Sequence, residues 1–390
     1  MISMFISHNK NFVRKILCAV TASLLISFRG AAAIEITEPF KVGTFDIAGS
    51  TRIGIVLRDS IVVEISEANK VLEKKAAYPH VPMPENMIAL IDRYEDDLKG
   101  RLYEIVNVHV TQGLLDGQRP AYVHQVSDVQ TRPPIMYPGK ILNAAVNFYS
   151  HVDESGSEEE RKKARELRRD ERGVPYLFLK PSRGAVIGDG EPVVIPYGRD
   201  RTDWEVELGA VIGKTAKYVS ANEAEDHVFG YMVTMDISDR GGRPPGGAPF
   251  SSDWFVGKGH DTFAPQGPWI VPKEFYGNPM EMLRQSLKIG DEQMQEATAG
   301  DMIHSLWELI EYGSSIMTLY PGDVLNNGTS GGVGMGTAVR GKQRFLQPGE
   351  IVSATIDGIG TLTHPVIAEA KPEGLTGAEL PPVNTYREPL

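Results

Sequence analysis

The sequence predicts an α+β protein in which strands dominate and helices are few and scattered. Residues 40–66 alternate short β-rich runs (Phe40 to Ile47, Arg52 to Leu57, Ser60 to Ile65) with the turns Ala48-Gly49-Ser50 and Arg58-Asp59, a meander. Two long apolar runs, Thr202 to Gly213 and Val228 to Ser238, have the composition of buried strands. Between them Ser220-Ala221-Asn222-Glu223 is a capping-box signature for one short helix.

Taken in order, the chain starts with a segment that does not belong to the fold. Lys10, Arg14 and Lys15 precede a short apolar stretch, Ile16 to Phe28, and Ala31-Ala32-Ala33 follows, the pattern of a signal peptide over residues 1–33. The stretch is short for a bilayer span, which takes about 20 residues. Export to the periplasm or outside the cell is therefore expected, with Cys18, the single cysteine, removed. Cleavage would take four basic residues and no acidic ones, deepening the net charge from −11 to −15. So acidic a chain lacks the electrostatic footprint for nucleic acid or an anionic membrane.

Met87 to Leu98 has helical spacing, and residues 103–127 look β-like. The Pro- and Gly-rich stretch 131–140 reads as a linker, which divides a small N-terminal β-rich domain (34–135) from a larger domain over 136–370 and a tail over 371–390. Ile141 to Asn147 is a buried strand by composition. Residues 157–172 are almost all charged, with opposite signs at helical spacing (Glu158 with Lys162, Glu166 with Arg169), so a solvated helix or a mobile lid is expected. Residues 174–213 and 228–238 are mainly strands, 241–249 a loop, and Met302 to Met317 a helix.

The chemistry centres on Glu205 and Glu207. Alternate residues of a strand share a face, so residues 203, 205 and 207 would aim three carboxylates one way. Strand, short helix and strand could return Asp236 beside them. A solvated strand face is one reading. The other is a metal site, with Mg²⁺, Mn²⁺ or Ca²⁺ favoured by oxygen-only ligands. Zn²⁺ fits less well, because neither cysteine nor paired histidine is at hand. Three carboxylates would leave room for a chelating dioxo acid. His151 and Glu154, at i and i+3, form either a surface pair or a general base whose imidazole the glutamate orients. Lys180, Arg240 and Lys258 are cations in apolar or glycine-rich segments, suited to a substrate carboxylate or oxyanion or to a salt bridge with the acids. Thr329 lies in a glycine-rich loop whose amides can approach a ligand closely.

Read together, these segments resemble the fumarylacetoacetate hydrolase family. The resemblance rests on Glu205 to Lys214, Gly230 to Arg240, Gly257 to Phe263, Pro265 to Trp269, Leu319 to Val324, Asn327 to Gly334, Tyr176 to Ser182 and Asn147 to Glu154, in that family's order from about residue 40 to 366. It implies a mixed β-roll with a small N-terminal β domain, a homodimer, and a metal-dependent hydrolase of C–C bonds in 1,3-dioxo or acylpyruvate-like acids. Glu205, Glu207 and Asp236 would hold the ion. His151, Glu154 and Lys180 would be catalytic, and Tyr149, Arg240, Lys258 and Thr329 would meet the substrate. The scaffold equally hosts decarboxylases, hydratases and isomerases. A periplasmic protein that binds a chelating acid without turnover would keep the acids and have no use for His151 and Glu154. Arg243, the long 241–249 loop and the 155–173 insertion depart from the family pattern around the substrate mouth, which leaves the substrate open.

Overall fold

The computed structural model describes residues 34–154, 156–241, 253–336, 341–370 and 373. The expected signal peptide, most of the tail, and Arg243 with most of its loop lie outside the described residues. The chain divides at Glu35, and residues 36–390 form the unit considered below.

The meander folds as expected: Lys41–Ile47, Ser50–Leu57 and Ile61–Glu64 pair antiparallel in sequence order. These strands do not end in a sheet of their own. Lys41–Ile47 also pairs with Ala264–Pro272, and the sheet continues through Val228–Met235, Val206–Ile212, Val324–Asn326 and Ile141–Ala144 to an edge at Leu177–Lys180. A second sheet joins Arg284–Ile289, Glu292–Thr298, Ile351–Ile356, Gly360–Ala368 and Val193–Ile195. Both sheets are mixed, since Val324–Asn326 runs parallel to Ile141–Ala144 and Gly360–Ala368 parallel to Val193–Ile195. That matches the α+β expectation.

The central strands are covered on both faces, which is why they read as unbroken apolar runs. Trp204, Leu208 and Tyr231 pack with Leu287, Ile356 and Leu362 of the second sheet. Val211, Phe229 and Met232 face the other way, into a core with Ile55, Leu90, Leu102 and Ile105. Leu90, Leu102 and Ile105 come from the helices Met87–Arg93 and Lys99–Thr111. The second helix corrects the β-like reading of residues 103–127, where only Val123–Gln125 is a strand. Ile105, Val106, Val108 and Val110 favour strands intrinsically, but Leu102, Ile105, Val106 and His109 bury one helical face, and packing overrides propensity.

Other elements follow their local signals. Leu306–Ile316 starts with a capping box of Ser305 and Glu308. At the one expected box Ser220 Oγ donates to Glu223, but the turn that follows, Ala224–His227, is a 3₁₀ helix. The charged segment is the helix Glu158–Asp170, capped by Ser157 and Glu160, with no buried residue. Its ion pairs differ from the expected ones: Lys163 meets Glu159, and Arg165 reaches outside the helix to Asp153. Among the described residues no helix is long and apolar enough to cross a membrane.

Candidate active site

Strand register builds the acidic cluster. Val206 lies opposite Met235 and Glu207 opposite Thr234, so Asp236 emerges one step beyond the pair, beside Glu205. The Asp236 amide donates to the Glu205 carbonyl at 2.9 Å and fixes that corner. Glu205, Glu207 and Asp236 are all buried, and one oxygen from each lies within 4.8 Å of the others. Asp203 is buried too but turns elsewhere. Its carboxylate accepts from Arg240 Nε and from the amides of Trp204, Gly334 and Met335.

Three cations enter from three elements. Lys180, at the end of the edge strand, donates to Asp236 Oδ1 at 2.5 Å and to the Ile237 carbonyl at 2.8 Å. Lys258, closing the short helix Trp254–Lys258, donates to Glu205 Oε2 at 2.9 Å and Asp236 Oδ2 at 2.5 Å. Arg240 bridges Asp203 and Glu205, so the salt-bridge reading describes it in this structure. Burial opposes ionisation of Glu205, but Lys258, Arg240 and His151 outweigh it and hold its carboxyl at about 2. Burial, then Asp236 and Glu205, push the Glu207 carboxyl well above the ordinary carboxylate range. Burial likewise lowers the Lys180 ammonium against the pull of Asp236.

The charges of the cluster leave room for a metal ion. Four carboxylates face three cations, and Glu207 is left over: among the described residues it forms no ion pair and accepts only from Asn143 Nδ2, at 3.2 Å. A buried acid kept from ionising by its neighbours is relieved by a further cation. The oxygen-only donor set selects a hard divalent ion such as Mg²⁺ or Mn²⁺. The residues present fit such an ion.

His151 and Glu154 meet as the spacing suggests. The short helix Tyr149–Val152 carries the imidazole, whose Nδ1 is paired with Glu154 Oε2. The other Glu154 oxygen accepts from the Gly332 and Val333 amides. This revises the reading of the glycine-rich loop. Four successive amides, 332 to 335, are aimed at the carboxylates of Glu154 and Asp203, so the loop braces side chains. Only glycine fits at Gly332, where φ is +106° and a Cβ would lie 1.9 Å from the Met294 carbonyl. Thr329 is not brought to the cluster by its hydroxyl, which donates to the Val206 carbonyl and accepts from Gln295 Nε2. Tyr149 stands half-buried beneath the Arg165 guanidinium, 5.5 Å from ring centre to Cζ.

One residue escapes the sequence reading, and another plays a different part than strand alternation suggests. Asn143 is the lone polar side chain in the Ile141–Ala144 strand, a signal that was available. It touches Glu207, and its Oδ1 is buried without a hydrogen-bond partner among the described residues. Asp203 was grouped with the other acids, and nothing in a strand's alternation reveals that it brackets Arg240 and the loop.

Comparison with known proteins agrees with this architecture. Residues 140–367 match the family model described as fumarylacetoacetate (FAA) hydrolase C-terminal. The 2,4-didehydro-3-deoxy-L-rhamnonate hydrolase of Sphingomonas sp. (strain SKA58) is 32% identical over 271 residues, 68% of this chain and 88% of that one. Maleylpyruvate hydrolase from Sphingobium sp. SYK-6, solved in complex with manganese(II) ion and pyruvate, superposes with a TM-score of 0.61 at 26% identity, covering 85% of this chain and 100% of that one. A 5-carboxymethyl-2-hydroxymuconate delta-isomerase from Mycobacterium smegmatis shares the fold, with a TM-score of 0.57 at 24% identity over 85% of this chain and 100% of its own. The strands that assemble the acids and the loop that braces the dyad fall inside the matched region, and the chain belongs to the fumarylacetoacetate hydrolase family.

Proposed function

We propose that this protein is a divalent-metal-dependent hydrolase that cleaves a C–C bond in an acylpyruvate-like 1,3-dioxo acid. The observation that carries the reading is a His–Glu pair held by the amides of residues 332 and 333, while the next two amides of the same loop hold Asp203, whose partner Arg240 also pairs with Glu205 of the buried acid triad. A divalent ion held by Glu205, Glu207 and Asp236 would polarise two substrate oxygens and offset the charge that builds up on them. Glu154 holds the Nδ1–H of His151, which leaves Nε2 to take a proton from water. The water oxygen bonds to the acyl carbon, and the bond from that carbon to the methylene breaks. The methylene carbon takes a proton, so one water and one dioxo acid give one carboxylic acid and one 2-oxo acid. Lys180 supplies an N–H donor to the developing oxyanion. An isomerase or decarboxylase on this scaffold would need no activated water, which is why the dyad favours hydrolysis. Export by residues 1–33 and assembly as a homodimer belong to the same proposal, tested by N-terminal sequencing of the secreted protein and by light scattering.

Acetylpyruvate with Mg²⁺ or Mn²⁺ is the direct test. Acetate and pyruvate should appear in equal amounts, and His151→Ala should slow turnover by about 10²–10⁴-fold. Full activity in that variant would remove the dyad from the mechanism. Release of carbon dioxide in place of acetate would make the enzyme a decarboxylase.

A further inference from the structure

The two lysines that grip the acids each share a face with an aromatic side chain farther out. Phe178 and Lys180 are alternate residues of the edge strand Leu177–Lys180. Trp254 and Lys258 are i and i+4 on the helix Trp254–Lys258, hence also on one face. The two aromatics meet with ring centroids 4.4 Å apart and planes at 56°, and the Lys258 ammonium lies 5.2 Å from the Phe178 ring. Tyr176, two residues before Phe178, continues the row and touches Trp254 at 5.4 Å. Exposure rises along it: Lys180 is buried, Phe178 and Trp254 are half-buried, and Tyr176 is 57% exposed. A line of ring faces therefore leads from the acid cluster to solvent.

We infer that Phe178, Trp254 and Tyr176 form the subsite for the substrate's acyl substituent, and that this substituent is flat and uncharged, an aryl group above all. This rests on the hydrolase reading for which end of the substrate faces the acids. Ring faces reward a stacked ring through contact area and offset-stacking geometry. At their rims they offer a second carboxylate only the neutral Trp254 N–H and Tyr176 O–H, while the ammonium groups of Lys180 and Lys258 pair with Glu205 and Asp236 at the buried end of the row. An acid ending in a carboxylate would lose solvation there without gaining an opposite charge from the rings.

Three 2-oxo acids that share the ion-facing end separate the possibilities. Pyruvate, phenylpyruvate and 2-oxoglutarate would be titrated with Mg²⁺ present, by calorimetry and by tryptophan fluorescence. Phenylpyruvate should bind at least about tenfold more tightly than either of the others, the scale of burying one ring face. Trp254→Leu and Phe178→Leu should each shrink that ratio severalfold, and Trp254→Phe should restore part of it. Equal affinity for phenylpyruvate and pyruvate, tighter binding of 2-oxoglutarate, or a ratio untouched by both leucine variants would overturn the subsite. Cleavage of benzoylpyruvate and acetylpyruvate keeps the two proposals apart. A phenylpyruvate preference without cleavage of either compound supports the subsite and sinks the hydrolase reading. Cleavage of both at equal kcat/KM, with no preference in binding, does the reverse.

Discussion

Glu207 is the costliest side chain in the site, a buried acid with an amide and two other carboxylates for neighbours. Its raised pKa means that folding works against it once pH exceeds the ordinary carboxylate range. Glu207→Gln should accordingly raise the metal-free Tm at pH 7 while weakening Mg²⁺ or Mn²⁺ binding by more than about 100-fold, beyond what is typical for residues that only orient ligands. Calorimetry with and without the ion reads both. A variant that binds as tightly as wild type would show that Glu207 is not a ligand. Asp203 gives the complementary case, because it touches Arg240 and two loop amides and lies outside the triad. Asp203→Asn keeps the size but loses the charge and one accepting oxygen, so Arg240 and the loop are both less firmly held. A fall in kcat/KM of about 10–100-fold is expected, with ion affinity kept. Loss of ion binding would place Asp203 among the ligands.

The helix Glu158–Asp170 lies in the segment expected to be an insertion beside the dyad. Its first turn carries Glu158, Glu159 and Glu160 and its last turn Arg168 and Arg169, which suits the helix dipole. No residue of it is buried, and it holds to the dyad's segment through Arg165, paired with Asp153 and lying over Tyr149. Charged almost all round, the helix has no apolar face with which to close over the dyad, so a solvated helix is expected here rather than a lid. Hydrogen exchange over residues 157–170 should therefore be equal with and without Mg²⁺ and oxalate. Protection that rises on adding both would make it a lid. Within the helix, Ser157→Ala removes the capping box and should cost about 1 kcal/mol, visible as faster exchange in the first turn.

For the whole molecule, three buried histidines tie stability to pH, His109, His304 and His364, each with its pKa lowered first of all by burial. His364 gives its Nδ1–H to the Glu191 carbonyl and His109 to that of Ile105, and burial lowers the pKa of both rings. Both stay neutral in the fold below the pH where the unfolded chain takes up a proton, about 6.5. The unfolded state then binds more protons, so stability is complete above that pH and is lost as pH falls through the folded pKa values. Tm should drop between pH 7 and pH 5, and His109→Gln with His364→Gln should flatten that slope. An unchanged slope would assign the acid sensitivity to His304 or to carboxylates.

Much of this was legible in order along the chain. The meander, the helix within Met302 to Met317, the charged helix and the convergence of Glu205, Glu207 and Asp236 all rest on local signals: alternation, helical spacing and a short connection between neighbouring strands. Short-range geometry is fixed by backbone periodicity, and periodicity is written in sequence. Tertiary structure alone decided the rest. Lys99–Thr111 is a helix because a core already formed by distant strands accepts one helical face, which no β-branched tally of its own residues contains. Thr329 turns to Val206, and the loop amides turn to Glu154 and Asp203, because partners up to 179 positions away occupy the space in front of them. Arg240 binds acids within the protein, and Phe178 meets Trp254 across 76 residues of chain, on elements that only the folded sheet edge brings together. Sequence set the kinds of chemistry available, and long-range packing chose which groups could reach one another.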